Sequence, residues 1–155
     1  MVVRVQKGEF DLGAEIAGFA ESCQDAGAIV SFTGVVRQSE DRRLDRMEIE
    51  HYPGMTERAL NKIEKNAARR WSLLGSLIIH RYGPLRPGDM IMMVATAAPH
   101  RKDAFEAAQY LMDYLKSRAP FWKKEFTADG SVWVESRAED EDALNQWQDS
   151  LARTC

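Results

Sequence analysis

The sequence predicts an α+β fold with a largely antiparallel sheet, and three observations carry that expectation. Strand-like and helix-like segments are interspersed without strict βα alternation. The link between the strand-like runs Leu77 to Tyr82 and Met90 to Ala97 is short. It carries Gly83-Pro84 and Pro87-Gly88-Asp89, turn chemistry that favours antiparallel neighbours. Further on, Ala128-Asp129-Gly130 separates Lys123 to Phe126 from Val132 to Glu135, a hairpin signal.

Val2 to Gln6 alternates weakly, as an edge strand does. Leu12 to Cys23 places Leu12, Ile16, Phe19, Ala20 and Cys23 at helical spacing, with Asp11 as its N-cap. After Gly27, the β-branched run Ala28 to Val36 reads as a buried strand. Gln38 to Arg46 is dense in charge and reads as a mobile loop, and Met47 to Tyr52 alternates again as a strand. Pro53-Gly54 turns the chain into a second helix, Thr56 to Arg70, with Ala59, Leu60, Ile63 and Ala67 on one face. The third helix, Arg101 to Lys116, is expected to bury Ala104, Phe105, Ala108, Leu111, Met112 and Leu115. Ala138 to Ala152 is an acidic tail with the pattern of a last helix.

With 155 residues and no repeat, linker or low-complexity stretch, residues 1–155 are expected to form one domain. A net charge of -3 argues against general nucleic-acid binding. Cys23 and Cys155 have neither metal-like nor redox-like spacing, which points to the cytoplasm. No apolar run approaches the ~18 residues that a membrane span needs. P-loop, GxGxxG, HExxH and GxSxG patterns do not occur, which removes the common nucleotide, zinc and serine-hydrolase readings.

Chemistry concentrates between Pro99 and Glu125. His100 and Arg101 open the third helix, where the dipole disfavours cations by about 0.3–1 kcal/mol and backbone N–H groups suit an anion. A bound anion would offset that cost; the plainer alternative is a pair of exposed loop groups. Lys116 and Arg118 complement the dipole at the other end. Lys123 and Lys124 have no such explanation. They follow Pro120, where the chain must leave the helix and fold back, so Lys123 is expected to return towards Lys116. Two ammonium groups about 4 Å apart repel by roughly 4 kcal/mol at an effective dielectric of 20, so one loses its proton or the pair recruits an anion. Arg37, at the end of the run Phe32-Thr33-Gly34, is a further phosphate candidate, with a solvated arginine as its alternative. His51 and His80 read as partnered or surface histidines, and Met90, Met92 and Met93 as packing.

Five blocks, Gly27 to Arg37, Glu48 to Leu60, Ile78 to Asp89, Pro99 to Arg101 and Ala104 to Glu125, together resemble the large, catalytic subunits of molybdopterin synthase, the MoaE family. The likeness is strongest over residues 27–135, and the tail 136–155 carries no signature. It implies an α/β hammerhead with additional antiparallel β-sheet. It also implies sulfur transfer in molybdenum cofactor biosynthesis, in which cyclic pyranopterin monophosphate becomes the dithiolene molybdopterin. The sulfur would come from the thiocarboxylated C-terminus of a small ubiquitin-like (MoaD-like) carrier subunit. A homodimer within a heterotetramer, and no metal or cofactor for this step, are implied as well. By the same resemblance Lys116 and Lys123 are catalytic. Arg37, His100, Arg101, Phe32, Met112 and Lys124 bind substrate, with Arg37 supplied by either protomer. Neither cysteine looks like an activated thiol, which fits a sulfur donor from a partner.

Two rivals remain from the residues alone. In a single-stranded nucleic-acid module Lys116, Arg118, Lys123 and Lys124 would meet phosphates while Phe121 and Trp122 stacked on bases. In a non-catalytic scaffold the same surface would only dock an acidic tail.

Overall fold

The computed structural model describes residues 1–38, 43–135 and 138–152, with side chains described as far as residue 147. In chain order the elements are β1 (Val2–Gln6), α1 (Leu12–Ser22), β2 (Ala28–Val35), β3 (Leu44–His51), α2 (Met55–Trp71), β4 (Gly75–Arg81), β5 (Gly83–Leu85), β6 (Met90–Ala98), α3 (Arg101–Ser117), β7 (Phe121–Thr127), β8 (Gly130–Val134) and α4 (Ala138–Ala152). They form two four-stranded sheets, ordered β1-β4-β6-β2 and β5-β3-β7-β8. All pairings are antiparallel except β1 with β4. The fold is α+β.

The first sheet is the middle layer of three. Ile78, Val94 and Ala98 face Leu60, Ile63 and Ala67 of α2 and Ala104, Ala107 and Leu111 of α3. The alternate residues Leu77, Ile79, Met93 and Ala95 face Phe10, Phe19 and Cys23 on the α1 side. Covered on both faces, β4 is buried throughout and β6 almost so, which explains their unbroken apolar runs. Ile78, Ile79 and Val94 are fully buried, each side chain contributing about 1.5–3 kcal/mol. Asp11 caps α1 as expected, its Oδ1 accepting the Ala14 N–H at 2.9 Å.

Four sequence expectations are corrected. β2 is not a buried strand: it is the sheet's outer edge, and Ile29, Phe32 and Val35 stay 37–49% exposed. Its β-branched composition fits a strand but does not report which strand lies outside. Phe105 is 61% exposed, because α3 turns Ala104, Ala107, Ala108, Leu111 and Leu115 inward instead. β3 begins at Leu44, within the expected loop, since Leu44 is buried and pairs with Thr127; residues 39–42 of that loop lie outside the described residues. Gly83-Pro84, read as a turn, belongs to β5 and pairs with Glu48 and Ile49 of β3.

α4 is anchored on α3 by its later residues. Leu144 is fully buried. The Trp147 indole donates to Asp113 Oδ2 at 2.6 Å, while Gln109 donates to Asp113 Oδ1 at 2.8 Å. Trp147 also meets Trp71 and Tyr110 edge-on, at 5.5 and 5.6 Å between centroids.

β2 is stapled to the start of α3 at Gly27, whose N–H donates to the Ala98 carbonyl at 3.1 Å. A Cβ at Gly27 would lie 2.2 Å from the Pro99 carbonyl oxygen, a backbone atom that cannot rotate aside. Gly27→Ala is therefore expected to cost about 2–3 kcal/mol, read as a lowered Tm in thermal unfolding.

Candidate active site

α3 ends at Ser117, and the Arg118 and Ala119 N–H groups both donate to the Tyr114 carbonyl, at 2.8 and 3.1 Å. Pro120 cannot continue the helix. Its carbonyl accepts the hydroxyl of fully buried Thr56 at 3.1 Å, and that hydroxyl also accepts the Tyr52 N–H. This clasp fixes the reversal and delivers Phe121 into register opposite His51, so β7 runs back antiparallel to β3.

The reversal bounds a cavity of about 750 Å³, within the range typical of ligand pockets. Lys116 enters it from α3, Lys123 from β7, Arg37 from the end of β2 and His80 from β4. Glu139 and Asp140, from the first turn of α4, complete one wall. Neither Lys116 nor Lys123 has a hydrogen-bond or ion-pair partner among the described residues. The Lys123 amine is pushed down from its ordinary 10.5 to about 8, first by burial and then by the Lys116 charge, with Asp140 pulling the other way. Burial thus outweighs the lysine–lysine repulsion that the sequence suggested as the cause.

Stability should register this. Below pH 8 Lys123 is charged in both folded and unfolded chains and its desolvation penalty is present in full. Between about 8 and 10.5 the unfolded chain holds a proton that the fold releases, so stability rises with pH in that window. Lys123→Met is expected to remove that rise and to stabilise the chain at pH 7 by about 1–3 kcal/mol, measured by denaturant titration.

The remaining site candidates lie elsewhere within one chain. Lys124 projects from the opposite face of β7, its ammonium over the rings of Phe126 and Trp133 at 5.4 and 5.1 Å. His100 and Arg101 are exposed at the other end of α3, fifteen residues and about 22 Å from Lys116. Met112 sits one turn before Lys116 but packs half-buried against the core, and Phe32 lies on the exposed β2 edge; neither lines the cavity. Nothing in the sequence marks His80, Thr56, Glu139 or Asp140 as part of the site. The alternation in β4 does place His80 on the same face as Ile78, but only the tertiary arrangement puts the cavity beyond it.

A second cavity, of about 380 Å³, lies beside β1 and α1 and is lined by Arg4, Glu15 and Cys23. Arg4 and Glu15 pair with each other there. Among the described residues no group of three or more His, Cys, Asp or Glu is placed to hold a metal ion. No described helix is long and apolar enough to cross a membrane.

Residues 5–118 match the family described as MoaE protein. The chain belongs to the MoaE family. It is 58% identical over 147 residues to the molybdopterin synthase catalytic subunit of Cereibacter sphaeroides, covering 95% of this chain and 100% of that one. Among solved MoaE-family structures, the molybdopterin biosynthesis MoaE protein of Burkholderia ambifaria superposes with a TM-score of 0.79 at 49% identity, covering 95% of this chain and 98% of that one. Molybdopterin synthase from Staphylococcus aureus gives 0.76 at 32% identity, covering 85% and 96%. The MoaE match stops at residue 118, so Lys123 and the reversal that carries it lie just beyond the matched segment.

Proposed function

We propose that this chain is the catalytic subunit of a molybdopterin synthase, a sulfurtransferase that converts cyclic pyranopterin monophosphate to molybdopterin. The sulfur comes from the thiocarboxylated C-terminus of a small ubiquitin-like carrier. One observation carries the reading: Lys116 and Lys123 share a cavity, without hydrogen-bond or ion-pair partners among the described residues, where burial lowers the Lys123 pKa to about 8. No described cysteine lines that cavity, since Cys23 is buried on the far side of the first sheet, which supports a sulfur donor supplied by a partner.

The chemistry follows from these groups. The carrier's tail brings R–C(=O)–S⁻ between the two lysines, whose charge orients it. The sulfur lone pair bonds to an electrophilic substrate carbon as that carbon's C–O bond breaks, the departing hydroxyl taking a proton and leaving as water, and the acyl group stays on sulfur. Water then adds to the acyl carbon, the C–S bond breaks, the carrier leaves as a carboxylate and the sulfur stays on the pterin. Lys123, with its pKa near 8, exchanges protons in both steps, and a second carrier supplies the second sulfur. Arg37, at the cavity edge, suits the substrate's phosphate.

His100 and Arg101 reach such a site only from a second copy. β2 runs alongside α3, its first residue paired with Ala98 next to His100 and its last leading to Arg37. Apposition of two β2 edges about a two-fold axis would cover Ile29, Phe32 and Val35. It would also bring His100 and Arg101 of one copy to the Arg37 end of the other. Incubating the chain with cyclic pyranopterin monophosphate and thiocarboxylated carrier is expected to yield dithiolene, and no product under those conditions would overturn the proposal.

A further inference from the structure

His80 lines the same cavity but has no part in the chemistry above. It is 3% exposed, and its ring is fixed on two sides. Nδ1 lies 2.8 Å from the Arg81 carbonyl oxygen. A carbonyl only accepts, so Nδ1 carries the hydrogen and Nε2 keeps its lone pair. The ring lies flat on Phe121, at 3.7 Å between centroids and 14° between planes. The Arg81 backbone that holds it is itself secured, its guanidinium donating to the carbonyls of Met90 at 3.1 Å and Lys7 at 3.3 Å.

Phe121 and Lys123 are two apart on β7 and project from the same face, which sets the imidazole beside the Lys123 stem. Nε2 has no partner among the described residues, and neither has the Lys123 amine. We propose that His80 is a positioning residue for Lys123: with the carrier bound, the flexible ammonium, unpartnered in the free chain, turns so that Nε2 accepts one of its hydrogens and holds it towards the reacting atoms. The proposal rests on the sulfur-transfer reading of the cavity.

The choice of a histidine has a physical reason. Burial, reinforced by the charges of Lys123, His51 and Lys116, holds the His80 pKa at about 3, so the ring stays neutral at any physiological pH. Around Lys123 the cavity already presents the carboxylates of Glu125, Glu135, Glu139 and Asp140 and the cations of Lys116 and Arg37. Another carboxylate would add to the pull of Asp140 and raise the lysine. A neutral acceptor supplies direction with little added charge.

Two substitutions separate position from packing. In His80→Asn the amide can still donate to the Arg81 carbonyl but cannot reach the Nε2 position; in His80→Gln an acceptor can be placed there. The chain bound to its carrier is labelled competitively with acetic anhydride across a pH series, and Lys123 acetylation is read by mass spectrometry. Losing the acceptor disfavours the ammonium, so the Lys123 midpoint is expected to fall by about one pH unit in His80→Asn and to return in His80→Gln. In turnover, His80→Asn should lose roughly 10- to 100-fold in kcat with KM for the pterin unchanged, and His80→Gln should recover most of it. A midpoint that stays put in both folded variants overturns the proposal, as does a kcat loss that simply tracks a lowered Tm. A midpoint that falls in His80→Asn and returns in His80→Gln, while the unsubstituted chain forms no dithiolene, overturns the sulfur-transfer reading and leaves the contact between His80 and Lys123 standing.

Discussion

Lys116→Ala is expected to lower dithiolene formation by about 10²–10⁴-fold while leaving the fold intact. Lys116 is exposed at the last turn of α3, and no described side chain pairs with it. Its removal therefore breaks no structural contact, and Tm should stay within about 2 °C. The loss should appear in kcat with saturating carrier, because the lysine acts on the sulfur in flight and not on carrier docking. Lys123→Ala should be as damaging to turnover, yet it removes a buried charge, so it should not destabilise the chain in proportion. Normal turnover by Lys116→Ala would refute the assignment of the lysine pair.

The second large effect is complementation between two dead proteins. Lys116→Ala and Arg101→Ala should each be nearly inactive alone. If Arg101 serves the partner's cavity, a mixed dimer contains one cavity in which both residues are intact. Co-refolding equal amounts should then restore roughly a quarter of wild-type activity, half the dimers being mixed and each carrying one working site of two. Were Arg101 to act within its own chain, no pairing of these variants could rebuild a site. The 22 Å or so between the two residues along α3 is why recovery is the expected outcome.

Much of this is legible in the sequence itself. The reversal at Pro120 follows from what proline denies a helix, and it foretells that Lys116 and Lys123 converge. Strand periodicity and turn residues located seven of the eight strands, since a half-buried or fully buried strand shows in its side-chain sequence. What stayed hidden depends on long-range neighbours. Whether β2 was an interior or an edge strand is decided by which strands pair with it, not by its own composition. Lys124 looked equivalent to Lys123 in the sequence, although adjacent residues in a strand point to opposite faces. His80 gave no signal because its role depends on Phe121, forty-one residues away and in the other sheet. His100 and Arg101 looked adjacent to the lysines only because both pairs bracket one helix.

The most direct measurement places the carrier's C-terminus. A carrier ending in a photo-crosslinking group is bound to the full chain, irradiated, and the modified peptide identified. The label should fall on the segment from Leu115 to Lys123, around the reversal. A label confined to the second cavity, at Arg4 or Cys23, or to the outer face of β7 at Lys124, would contradict a lysine pair that receives the sulfur.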